Sequence, residues 1–170
     1  MKKVLMAILT ACIMINCSAC GFYDMTPREM HDFLNGVAEN IGNSQLTKEE
    51  ELIGERKIGK DSYTGIYKSE CTNITGKDVI FGGASIETRN IYIYGYIHPE
   101  VGNAKVRIRK NWEVIELTPN EDGYFETELS LGNGGNYIMI IYEAFQGTVE
   151  LTSEYKDISM NEDLNILGMK

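Results

Sequence analysis

Two periods of hydrophobic and polar residues divide this chain, a helical one up to about residue 60 and an alternating one after it. Ahead of both, Lys2 and Lys3 precede an apolar run from Val4 to Ile15. At about 1.5 Å per residue that run reaches roughly 18 Å, against about 30 Å for the hydrocarbon core of a bilayer. It is too short to span. Thr26-Pro27-Arg28-Glu29 then reads as a helix start. Thr26 can cap, Pro27 fits the first helical position, and Glu29 can reach back to close a capping box. Met30, Phe33, Leu34, Val37, Ala38 and Ile41 follow at helical spacing, and Gly42 can end the helix. So wide an apolar stripe wants a partner, either the rest of the chain or another protein. A second capping box, Thr47-Lys48-Glu49-Glu50, predicts a shorter helix through about Arg56. The mixed charges of Ser44 to Asp61, with Gly54 and Gly59 among them, read as a solvated helix or linker.

From Ser62 the period is two. Tyr63, Tyr67 and Cys71 alternate with Thr64, Ile66 and Lys68, and Val79-Ile80-Phe81 is a short apolar run closed by Gly82-Gly83. Ile91 to Ile97 is the clearest strand, with isoleucines on one face and Tyr92, Tyr94 and Tyr96 on the other. Lys105 to Arg109, Trp112 to Leu117, Tyr124 to Leu131, Tyr137 to Tyr142 and Thr148 to Tyr155 complete about eight strands. Asn120-Glu121-Asp122-Gly123 is a turn, because Asp-Gly supplies the positive φ that a hairpin needs. Strands recurring about every ten residues predict an all-β domain, an antiparallel β-sandwich preceded by a short amphipathic helical segment. The expected organisation is a signal at 1–19, a tether and helical segment at 20–61, the sandwich at 62–156 and a tail at 157–170. The strands are expected to carry their own core, so that a chain beginning near Ser62 melts cooperatively.

The segment Cys17-Ser18-Ala19-Cys20-Gly21 follows the apolar run, and a basic start, a short apolar stretch and small residues make a secretory signal. The cysteine just past the small residues makes this region resemble a bacterial lipoprotein signal. The resemblance implies cleavage before Cys20 and a diacylglyceryl group on its sulfur. Cys12 follows Leu9-Thr10-Ala11 but leaves too little apolar run before it, and Cys17 follows Asn16 where the pattern wants a small residue. Two acyl chains, at about 0.8 kcal/mol per buried CH₂, make a stable anchor.

Further along, Asp122-Gly123-Tyr124-Phe125, then Leu129 and Leu131, then Gly135-Asn136-Tyr137-Ile138 and Gly147 resemble the closing strands of bacterial immunoglobulin-like domains. The resemblance covers about residues 91 to 155. Ser62 to Ser85 departs from that pattern, which keeps a jelly-roll sandwich open. Such domains are spacers, adhesion modules and binding modules, so the resemblance implies a fold and no reaction. The chain as a whole resembles the lipoproteins of low-GC Gram-positive bacteria.

Charge and cysteine content narrow the partners. The chain has 16 Lys and Arg against 25 Asp and Glu, a formal net charge of −9. Removing the signal takes away Lys2 and Lys3 and makes the rest more acidic. Such a surface is repelled by nucleic acid and by anionic headgroups. No nucleic-acid partner is expected, and the body should stand off the membrane. With Cys12 and Cys17 removed and Cys20 lipidated, Cys71 is left without an intramolecular partner, and it reads as a small buried core residue.

Catalysis finds no constellation. His31 and His98 read as surface or turn residues, and no cluster has the spacing of a zinc site. Glu126 and Glu128 share a strand face, as do Glu150 and Glu154, but they alternate with apolar residues and mark the solvent side of half-buried strands. Gly82-Gly83 and Gly132-Asn133-Gly134-Gly135 lack the ending of a phosphate loop. No cofactor and no metal are expected. The feature with binding character is the tyrosine face: Tyr92, Tyr94 and Tyr96 project together, and Arg107 and Arg109 share the outward side of a strand taken as its neighbour. Aromatic faces with polar tips suit sugar rings, and guanidinium groups stack on them. The competing reading packs this face under the amphipathic helix or makes it a set of ordinary cross-strand pairs. The expectation is a non-enzymatic, lipid-anchored β-sandwich on the extracytoplasmic face of the cell membrane. It presents a binding or structural surface to an envelope protein or glycan, with a carbohydrate-binding module as the alternative.

Overall fold

The computed structural model describes residues 25–156. The expected signal, Cys20, the residues up to 24 and the tail beyond 156 lie outside the described residues. The chain forms two compact units, Met1–Gly36 and Val37–Lys170. Helix α1 (Pro27–Asn43) begins in the first. The expected capping box closes its start: the Glu29 amide donates to Thr26 Oγ1 at 3.3 Å, and the Thr26 amide donates to Glu29 Oε2 at 2.7 Å. Those bonds hold the Glu29 carboxyl below its usual range, with the Thr26 backbone bond the larger cause.

The second unit holds the end of α1 and six strands. These are β1 (Glu55–Ile58), β2 (Gly65–Ser85), β3 (Arg89–Lys110), β4 (Glu113–Leu117), β5 (Tyr124–Leu131) and β6 (Gly134–Tyr155). All pairing is antiparallel. The alternating segments of the sequence are all strands, but several join. β2, β3 and β6 run for 21, 22 and 22 residues, each uniting two segments that the pattern separates. Their registers shift between Cys71 and Gly76 and between Pro99 and Asn103, and Asn73, Gly102 and Ala144 there have φ of 53°, 73° and 46°. At those bulges the strands bend together.

The bend folds one sheet into two layers. Tyr67 and Asp78 lie on the same strand, eleven positions and about 36 Å apart if it were straight. Yet the Tyr67 hydroxyl donates to Asp78 Oδ2 at 2.5 Å. The first layer has the order β1, first half of β2, second half of β6, first half of β3, β5. The second layer has the order second half of β2, first half of β6, second half of β3, β4. The architecture is the expected β-sandwich. Ile91, Ile93, Ile97, Val149 and Leu151 of the first layer and Ile80, Phe81, Val106, Ile108, Ile138 and Ile140 of the second meet in one core.

A polar network crosses that core. Asp78 is fully buried and accepts the amides of Ile53 at 2.9 Å and Gly54 at 3.2 Å besides the Tyr67 hydroxyl. The Tyr67 and Tyr142 hydroxyls lie 2.8 Å apart, and Ser69 Oγ bonds Tyr142 at 2.9 Å. Burial raises both phenols well above the ordinary tyrosine range, and it pushes up the Cys71 thiol, which is free and buried beside them.

The stretch ahead of Ser62 differs from the expectation. No helix runs from Thr47 to Arg56. A single 3₁₀ turn (Glu49–Glu51) leads into β1, which pairs with Gly65 to Lys68 of β2. Nor is the segment a solvated linker. The Arg56 guanidinium, its side chain 6% exposed, donates to the carbonyls of Thr47 at 2.8 Å and Ile80 at 3.1 Å and pairs with Glu49. An arginine that satisfies several buried carbonyls belongs to the body, so the sheet begins before residue 62. Gly42 also has a different use. The helix continues to Asn43, and a Cβ on Gly42 would lie 2.0 Å from the Ala84 amide nitrogen. The glycine permits close approach to β2, while Val37 and Ile41 of the apolar stripe stay exposed.

The Asn120–Gly123 turn forms as expected, with Asn120 Oδ1 accepting the amides of Asp122 and Tyr124 and Gly123 at φ 81°. It closes no hairpin, however, because β4 and β5 both pair with β3, in different layers. Trp112, expected inside a strand, sits fully exposed at the tip between β3 and β4.

Candidate functional site

The outward side of β3 in the first layer is built by simple alternation. Ile91, Ile93 and Ile97 turn into the core, so Tyr92, Tyr94, Tyr96 and His98 turn out. Tyr92 and Tyr94 are half-buried and Tyr96 is 43% exposed. The rings pack on one another: Tyr92 stacks on Tyr94 at 5.1 Å, Tyr96 stacks on His98 at 5.5 Å, and Tyr96 meets Tyr124 of β5 at 5.1 Å. Such pairs prefer offset or tilted contact and add roughly 0.5–1.5 kcal/mol beyond the area they bury.

Register supplies the flanking rows. On β5, Tyr124, Glu126 and Glu128 stand opposite Tyr96, Tyr94 and Tyr92. On β6, Glu150, Thr152 and Glu154 stand opposite the same three tyrosines. Glu126 Oε2 accepts the hydroxyls of Tyr92 and of Tyr124, the latter at 2.9 Å. Those bonds, Tyr92's first, hold the Glu126 carboxyl below its usual range, and the same contact raises the Tyr92 phenol above its own. Lys68 pairs with Glu150 at 2.8 Å and Lys156 with Glu128 at 2.5 Å. Tyr124, Glu126, Glu154 and His98 thus join the site although sequence reasoning did not assign them to it. Even spacing from the Asp-Gly turn is the signal that puts Tyr124 in the row of Glu126 and Glu128.

The arginines do not belong to this face, which corrects the expectation. Arg107 and Arg109 lie on the second half of β3, beyond its bend, in the second layer. Arg107 donates to Glu116 Oε1 of β4 at 2.6 Å. Arg109 lies 4.5 Å over the Tyr137 ring and donates to Gln45 Oε1 at 2.7 Å. Tyr137 also gives its hydroxyl proton to the Gly42 carbonyl, at 3.2 Å. The end of α1 and Arg109 therefore cover the outer side of the second layer at Tyr137, which is 2% exposed. On the first layer, by contrast, Tyr96 stays 43% exposed.

Changing Tyr94 to alanine tests how far the face is covered. The residue is half-buried, so the expected loss is about 1–2 kcal/mol, between a surface position and a buried aromatic. Denaturant melts that gave 3 kcal/mol or more would mean that another element packs over the ring.

No group of three His, Cys, Asp or Glu among the described residues is placed to hold a metal ion, and no described helix is long and apolar enough to cross a membrane. A groove along β2 and β6 is lined by Ile53, Lys68, Ser69, Glu70, Thr148 and Glu150. No protein-family model matches the chain, and no curated protein sequence matches it. Among solved structures the chain is similar to the pre-peptidase C-terminal domain of a collagenase from Bacillus anthracis, at 19% identity and a TM-score of 0.34, over 60% of this chain and 86% of that one.

Proposed function

We propose that this chain is a lipid-anchored, extracytoplasmic binding protein of the Gram-positive lipoprotein type. Its body is a sandwich of the immunoglobulin-like class that presents the tyrosine face at the cell envelope without catalysing a reaction. The anchor rests on Cys20 and the signal before it. The binding role rests on one observation: a partly exposed ladder of aromatic rings, bordered by carboxylates, on a layer whose opposite side is core. A monomeric domain has little reason to keep such a strip unless something packs on it.

The anchor is tested by labelling cells with a palmitate analogue. The wild-type chain should be labelled and sediment with membranes, Cys20→Ala should be unlabelled, and Cys12→Ala should behave as wild type. Labelling lost in Cys12→Ala and kept in Cys20→Ala would move the anchor. For the face, cross-linking on intact membranes should join the wild-type chain to envelope components that a Tyr94→Ala/Tyr96→Ala variant fails to reach. Identical cross-linked products from both would sink the binding role.

A further inference from the structure

The tyrosine face is electrostatically one-sided. Four carboxylates, Glu126, Glu128, Glu150 and Glu154, stand in the rows beside the rings. The cations bonded into the face, Lys68 and Lys156, are already engaged with Glu150 and Glu128. Glu154 makes no ion pair among the described residues. Two of the face's own donors, the hydroxyls of Tyr92 and Tyr124, are turned onto Glu126. The Glu154 carboxylate remains to attract positive charge, and the hydroxyls of Tyr94, Tyr96 and Thr152 can donate as well as accept.

Its dimensions are those of a strand. Tyr92, Tyr94, Tyr96 and His98 occupy successive same-face positions, about 7 Å apart, so the ladder runs for about 20 Å. An extended peptide repeats its side chains at the same interval. A basic residue at every second position would lay its alkyl stem along the ladder and set its cation beside a bordering carboxylate, the arrangement that charge pairing favours.

We propose that this face docks an extended, basic segment of a partner protein, with lysine or arginine side chains seated along the Tyr92, Tyr94 and Tyr96 ladder. The inference rests on the binding role given above and names the chemistry of its occupant.

The probe is a dye-labelled six-residue peptide alternating arginine and serine, followed by fluorescence anisotropy as the full-length chain is added in detergent. Saturable binding is expected, and a peptide of serine alone should not bind. Tyr96→Ala, at the most exposed ring, and Tyr94→Ala should each weaken binding about fivefold or more while melting cooperatively. Glu154→Gln should weaken it several-fold. Glu113→Gln removes the same charge from β4 in the other layer and should change nothing. Equal weakening by Glu154→Gln and Glu113→Gln would mean diffuse attraction to an acidic protein and would overturn the inference. So would failure of the basic peptide to bind while a neutral N-acetylglucosamine oligomer binds and is lost in Tyr94→Ala. That outcome puts a glycan on the face and leaves its binding role standing. If neither probe binds, the inference is overturned, and the cross-linking result decides the binding role separately.

Discussion

A chain carrying Asp78→Ala is expected to lose about 3–5 kcal/mol of stability, a large share of what a domain of this size has. The substitution removes the acceptor shared by the Ile53 amide, the Gly54 amide and the Tyr67 hydroxyl, all at hydrogen-bonding distance. Each donor left unmade in the interior costs about 1–3 kcal/mol. Tyr67 keeps its contact with Tyr142, so the network fails in part rather than wholly. Denaturant midpoints of the two chains measure the loss, and a difference under 1 kcal/mol would mean that other groups satisfy those donors. The same network has an alkaline signature. Burial raises the Tyr67 and Tyr142 hydroxyls above the ordinary phenol value of 10.0. The unfolded chain therefore releases these protons near pH 10 while the folded chain still holds them. Their contribution is complete below pH 10 and falls as pH rises beyond it, so unfolding and phenolate absorbance should appear together in alkali.

A chain that begins at Ser62 is expected to lose cooperative melting altogether, in contrast to what the strand pattern alone implies. The cut removes β1 and its pairing with β2, and it takes the Ile53 and Gly54 amides from Asp78. It also takes Arg56 from the Val79 and Ile80 carbonyls and the Gly42 carbonyl from Tyr137. Leu52 and Ile53, which pack on the core, go with it. Together these contributions amount to about 5 kcal/mol or more, comparable with the whole stability of a small domain. Circular dichroism melts of the full chain and of chains starting at Leu46 and Ser62 test this. The Leu46 start should melt in one transition and the Ser62 start should not. A sharp transition in the Ser62 chain would mean that the strands after it are sufficient.

The cases that were legible in the sequence share one property: their cause is local. Thr26, Pro27 and Glu29 form a capping box within one turn, so three residues decide the helix start. Ile91 to Ile97 alternates so regularly that one side can only be core, and the tyrosines are thereby sent outward. Asn120 and Gly123 make their turn from their own side-chain oxygen and backbone freedom.

Other features needed partners far along the chain. A break in alternation near Asn73, Gly102 or Ala144 looks the same whether the strand ends or bends, and only the neighbouring strands bending with it make a bulge of it. Arg56 reads as one more charge in a charged stretch until carbonyls of the 47 and 80 regions converge on it. Arg107 and Arg109 sit on the same strand as the tyrosines, yet the bend carries them into the other layer, where Glu116 and Tyr137 take them up. By itself the sequence determined an all-β body behind a capped helix, with an aromatic face directed away from the core, because alternation and capping act between near neighbours. Only the tertiary structure decided which halves of the long strands share a layer, what covers Tyr137 while Tyr96 stays exposed, and which carboxylates border the tyrosines, because long-range pairing and register set those contacts.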